Sequence, residues 1–170
     1  MTADPSKSYL NAVVQQVTNN TTSWIGQRHG DNRNRISGQT FVCPKEGELA
    51  MIEVFSSHVT HNEPVDLTLH SFDAKSKTWG PVLKTSTVEF NHNNTGHWIG
   101  FPLDGLHLQK GMSYGFRLKS TGGLVGLGEA AGSYDHLPCI GGQEWMANAD
   151  DQPGNFFSYL SLAFKVELRA

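Results

Sequence analysis

Two short motifs and several sets of side chains in this chain are of types that could carry chemistry. Gly111-Met112-Ser113-Tyr114-Gly115 has the G-x-S-x-G form of a nucleophile elbow, in which a sharp strand-to-helix turn exposes the serine. Here a Lys110-Gly111 turn precedes the serine, and Tyr114, Phe116 and Leu118 alternate after it. That context predicts the start of a strand. Gly126-Leu127-Gly128-Glu129-Ala130-Ala131 has the G-x-G-x-x-A spacing of a dinucleotide fingerprint. The fingerprint needs a following helix inside a βαβ unit. Instead Gly132, Pro138 and Gly141-Gly142 interrupt the chain, so the glycines read as a flat or bulged strand.

The eight histidines raise a metal reading. His58 and His61, and His92 and His97, form pairs, whereas a zinc site needs three or four convergent ligands. No metal site is assigned. Asp135, Glu144, Asp150 and Asp151 are of the kind that hold Ca²⁺, but their spacing has no order, and no cofactor is assigned either. Arg28, Arg33 and Arg35 cluster around Asp31 in a polar, Gly/Asn-rich stretch and read as a solvated loop. Cys43 and Cys139 fit either a disulfide closing a long loop or two separate thiols. No nucleophile–base set converges, so no catalytic residue is assigned and the chain is expected not to be an enzyme.

Aromatic side chains are the stronger lead. Trp98 falls out of register with the apolar face of its strand, and Tyr134 and Trp145 sit in a polar, Gly-rich stretch. Sugar rings stack their C–H faces on flat aromatic rings while polar neighbours orient the hydroxyls. Trp98, Tyr134 and Trp145 are therefore the candidate stacking residues, with His97, Asp135 and Glu144 as polar partners. Trp24 and Trp79 are expected to be packing residues.

The elements that must position these groups are strands. Residues 96–103 alternate Ile99, Phe101 and Leu103 against Trp98 and Gly100, the period-two pattern of a half-buried strand. The same grammar predicts strands over 36–43, 49–58, 65–72, 82–90, 112–119, 124–129 and 159–169. Asp104-Gly105 reads as a turn. Residues 130–157 read as a long irregular excursion. Apolar residues at 9, 10, 13, 14 and 17 suit a short amphipathic helix or an extended arm.

About eight strands with no helices between them predict an all-β fold, a two-sheet antiparallel sandwich of jelly-roll type. An immunoglobulin-type sandwich comes second and a closed barrel third. The expected organisation is an arm over residues 1–35, irregular or short-helical, and a sandwich over 36–170, one domain overall. The 170 residues suffice for such a core.

Composition narrows the partners. Thirteen basic against sixteen acidic residues, net −3, argue against a nucleic-acid surface, and no apolar run is long enough to cross a bilayer. The N-terminal sequence lacks the basic-then-apolar pattern of a secretory leader. An extracellular or cell-surface setting is expected only if a leader was trimmed. Oligomeric state is not legible.

GQTFVCPKEGELAMIEVF, VDLTLHSFD, GHWIGFPLDGLHLQKGMSYGFRLKS, IGGQEW and LSLAFKVEL together resemble the jelly-roll accessory modules of bacterial surface and polysaccharide-degrading proteins, which are similar in build to carbohydrate-binding modules. The resemblance covers roughly residues 36–168 and implies a lectin-like role with a polysaccharide or glycan as partner. The expected function is thus a non-catalytic carbohydrate-binding module. The alternative is a structural or protein-interaction sandwich whose exposed aromatics form an interface.

Overall fold

A computed structural model describes residues 9–28, 30 and 32–169. Two antiparallel sheets, of seven and six strands, face each other. The larger holds β1 (Leu10–Gln16), β2 (Thr21–Ile25), β4 (Gly47–Val59), β7 (His97–Leu108), β9 (Val125–Ala131), β12 (Leu160–Leu162) and β13 (Phe164–Arg169). The smaller runs in the order β11 (Asn155–Phe157), β10 (Glu144–Ala147), β3 (Ile36–Val42), β8 (Ser113–Ser120), β5 (Glu63–Asp73) and β6 (Thr78–Phe90). The fold is an all-β, two-sheet sandwich, as the alternation predicts.

The inward faces carry the expected residues. Leu67, Phe116, Leu118, Ile52, Phe101 and Phe164 are fully or nearly fully buried in one apolar cluster between the sheets. One flank of the interior is polar. There the Ser23 and Ser37 hydroxyls share a hydrogen bond of 2.7 Å across the sheets, and the Gln39 side-chain amide oxygen (Oε1) accepts the Leu162 N–H at 2.9 Å. Glu144, opposite Gln39 in the β10–β3 ladder, lies in this seam.

Three local expectations are settled or corrected. Residues 10–16 take the extended alternative and not the helical one: β1 pairs with β13 from Leu10↔Arg169 to Gln16↔Phe164. Its register shifts between Ala12 and Val14, so both Val13 and Val14 pack against the core. A bulge sets two residues against one and here imitates helical spacing. Asp104-Gly105 does not end a strand. β7 runs on to Leu108, with Gly105 at φ +92° where the pairing with β4 shifts between Leu49 and Met51. The 130–157 excursion contains two strands, β10 and β11; with β1, β2 and the division of 159–169 into β12 and β13, the described residues form thirteen strands rather than about eight.

The motif matches resolve structurally. Ser113 opens β8, and the Tyr114 side chain is buried, its hydroxyl accepting the Gln109 N–H at 2.9 Å. Gly126 and Gly128 lie within β9, where a Cβ would press on Thr22 and Phe55 respectively. Cys43 and Cys139 are unpaired buried thiols, and burial pushes both above the usual thiol range. No group of three His, Cys, Asp or Glu residues able to hold a metal ion occurs among the described residues.

Candidate functional site

Tyr134 and Asp135 form the tip of a tight turn. Ser133 and His136 exchange backbone hydrogen bonds of 3.1 Å in both directions, and the Ser133 hydroxyl also accepts the His136 N–H. The turn is anchored from below. The Gly132 N–H donates to the Tyr159 carbonyl at 2.8 Å, and a Cβ at Gly132 would meet the His136 carbonyl oxygen at 2.3 Å. The Asn20 amide clamps both backbone groups of Ala131 at the end of β9. On this footing Tyr134 is 78% exposed. Tyr159 braces it edge-on at 5.5 Å, and Phe157 packs edge-on against Tyr159 at 6.0 Å. An open aromatic face and a neighbouring carboxylate therefore stand on a turn whose backbone is fixed. Leu137 and Ile140 are exposed further along the same loop.

Trp98 lies on the outer face of the larger sheet, half-buried. Phe55 meets it edge-on at 5.5 Å, and the Lys165 ammonium sits 4.3 Å above its ring. A cation over an aromatic face is held by the ring quadrupole, so one face of this indole is already occupied. His97 beside it is exposed. On the same sheet the Glu53 and Glu167 carboxyls are hydrogen-bonded, and the Glu167 acid is raised by partial burial and by the charge of Glu53.

Trp145 is not a surface platform. It is fully buried on the outer face of the smaller sheet. Its indole N–H donates to the Pro153 carbonyl at 3.0 Å, and the loop returning through Gly154 lies against the ring. Below this loop the Arg117 guanidinium is sandwiched, 4.3 Å from the Trp79 ring and 4.2 Å from Trp145. Phe156 stacks on Trp79. Lys119 and Asp150 form an ion pair that ties the loop to β8. Gly38 and Gly115 form the floor: a Cβ at Gly115 would lie 2.6 Å from the Trp79 ring. Trp79 and Arg117, both central here, were not legible as a pair, because only the strand order β8-β5-β6 brings the Trp79 side chain across β5 to β8.

Glu144 is not available to a ligand either. It is fully buried between the sheets against Glu129 of β9, itself 5% exposed. Burial first, and Glu129 second, push the Glu144 acid up to about 11. Neither Glu144 oxygen accepts from an N–H or hydroxyl donor among the described residues. One retained proton supplies the hydrogen bond that joins the two acids. Glycosidases hold their carboxyl groups about 5–9.5 Å apart across a scissile bond. Here both carboxyl pairs are in direct hydrogen-bonding contact. Of the six candidate residues, then, Tyr134–Asp135 and His97–Trp98 are surface pairs, and Trp145 and Glu144 are interior.

The class these observations define is a two-sheet antiparallel β-sandwich with one exposed aromatic turn. No protein-family model matches the chain, and no curated protein sequence matches it significantly. Among solved structures it is similar to that of the cysteine protease and lectin-like domains of Cwp84, a surface layer associated protein of Clostridium difficile. The TM-score is 0.53 at 10% identity, covering 80% of this chain and 32% of that one. It is also similar to the clostridial cysteine protease Cwp84 after propeptide cleavage. There the TM-score is 0.57 at 9% identity, covering 99% of this chain and 42% of that one. The chain thus spans less than half the length of these solved chains, and at such identity the likeness is one of fold.

Proposed function

We propose that this chain is a non-catalytic carbohydrate-binding module whose stacking group is Tyr134. The observation that carries the reading is the Tyr134 turn: an aromatic residue 78% exposed on a hydrogen-bonded turn, with Asp135 beside it. A fixed ring loses little freedom on binding, so its contact area converts efficiently into affinity. The fold agrees, because a Cwp84 structure of similar fold includes a lectin-like domain. We take that domain, rather than the protease, as the counterpart of this chain, with a cell-surface or extracellular setting. Affinity electrophoresis and calorimetry against a panel of neutral and acidic polysaccharides test this. Tyr134→Ala is expected to weaken the bound glycan about tenfold, or roughly 1.4 kcal/mol, with an unchanged melting temperature. Equal affinity of the variant and the wild type would remove Tyr134 from the site.

A second reading has one observation in its favour: Ile140, 93% exposed, lies on the same loop as Tyr134. An apolar residue so placed suits a protein interface. In that case no glycan binds, and sedimentation shows self-association that Ile140→Ser abolishes.

A further inference from the structure

At one end of the sandwich three of the chain's five arginines surround a single cavity. Arg28, Arg33 and Arg35 line it with Trp24, Gly26 and Leu124, enclosing about 270 Å³. A shallower space of about 530 Å³ adjoins it through Arg28 and Leu124 and is walled by His61 and the Gly122-Gly123 backbone. Among the described residues no carboxylate lines either space. Asp31, the one acidic residue in the sequence from 26 to 35, lies outside the described residues, so that stretch holds three arginines against one aspartate. In a chain of net charge −3 this is a local reversal of sign.

The cavity is built into the backbone. Gly26 and Arg35 exchange hydrogen bonds of 2.9 and 3.0 Å, and the Gln27 N–H donates to the Gly122 carbonyl at 3.1 Å. Gly26, at φ +97°, lies so close to the 121–124 turn that a Cβ would sit 2.2 Å from the Gly123 carbonyl oxygen. Glu63, at the start of β5, lies against that turn and its carboxylate accepts the Gly123 N–H at 2.8 Å. Trp24 points outward from β2, half-buried, with His58 edge-on at 5.5 Å. Arg28 and Arg35 are exposed and have no side-chain ion pair or hydrogen bond among the described residues.

We propose that this cavity binds the acidic residue of a polysaccharide, a hexuronate, with its carboxylate on Arg28 and Arg35 and its ring against Trp24. The guanidinium fork matches a carboxylate with two parallel hydrogen bonds, and the indole supplies the apolar surface that a free inorganic anion would not use. Naming a sugar rests on the carbohydrate reading above; the cavity itself is a second site, separate in sequence from the Tyr134 turn.

The test is calorimetric titration at low salt with oligogalacturonate, its neutral methyl ester, a sulfated oligosaccharide and inorganic sulfate. Oligogalacturonate is expected to bind saturably, at least tenfold tighter than the methyl ester and than inorganic sulfate, and to weaken as salt is added. Arg28→Gln and Arg35→Gln should each cost about fivefold or more, with Arg28→Lys intermediate. Tyr134→Ala should leave this binding intact. Tighter binding of the sulfated oligosaccharide than of the uronate reassigns the oxyanion and overturns the hexuronate. Equal affinity for acid and ester, equal affinity for sulfate, or indifference to both arginine substitutions overturns the site. If neutral glycans still bind through Tyr134 while uronates do not, this inference fails and the function proposed above stands.

Discussion

Glu144→Gln is expected to stabilise the protein at pH 8 and to leave it nearly unchanged at pH 5. Glu144 keeps its proton in the folded state up to about 11, whereas in the unfolded chain it ionises near 4.5. Between these values unfolding releases a proton that the native seam retains. The unfolded state binds fewer protons, so the stability of the wild type falls as pH rises through this window, by roughly 1.4 kcal/mol per pH unit for this one group. A glutamine amide donates to Glu129 in the same place and has no proton to lose. The slope should therefore flatten in the variant. Glu144→Ala removes the donor and leaves Glu129 buried without a partner, which should destabilise at every pH. Urea unfolding from pH 5 to 9 checks all three proteins. Parallel curves for wild type and Glu144→Gln would mean that Glu144 is already ionised in the native state.

The second large effect belongs to the outer face of the smaller sheet. Trp145→Ala should cost about 3–5 kcal/mol, the range for deleting a fully buried large aromatic. Trp145 does more than fill space: it closes one side of the Arg117 sandwich and anchors the returning loop through Pro153. Gly115→Ala attacks the same cluster from beneath, since its methyl would stand 2.6 Å from the Trp79 ring. Arg117→Met tests whether the cation itself matters. It keeps an unbranched stem but loses the charge, and the loss should exceed about 0.5 kcal/mol if the ring quadrupoles contribute. Urea unfolding of the three variants reads these effects. A Trp145→Ala loss under about 1 kcal/mol would show that β10 and β11 separate from the sandwich before it unfolds.

The long strands were readable because one face of each is buried and the other is not. Val65, Leu67 and Leu69 alternate cleanly and sit in the core. Where the pattern misled, a bulge or a very short strand was responsible. The Val13-Val14 doublet looked helical because β1 bulges there. Glu144 and Trp145 are neighbours on a four-residue strand, so they face opposite sides, one into the seam and one into the outer cluster. Nothing in a stretch so rich in turns announces that strand. Glu129 did carry a signal, since it shares parity with Val125 and Leu127 in β9, which places an acid in the core register. Tyr134 was legible as an aromatic in a polar loop, but its footing on Tyr159 and Asn20 depends on contacts far apart in sequence.

The pairing of β1 with β13 has a mechanical consequence. Leu10 lies opposite Arg169, so the polypeptide enters and leaves the sandwich at one corner. Antiparallel ladder bonds run across the strands. Tension transmitted through both ends pulls along those bonds and loads the outermost rung alone. The ladder then opens one rung at a time, like a zipper, rather than resisting as a block in shear. Stretched in series with other folded units, this sandwich would yield at low force, first releasing β1 and then exposing the edge of β13.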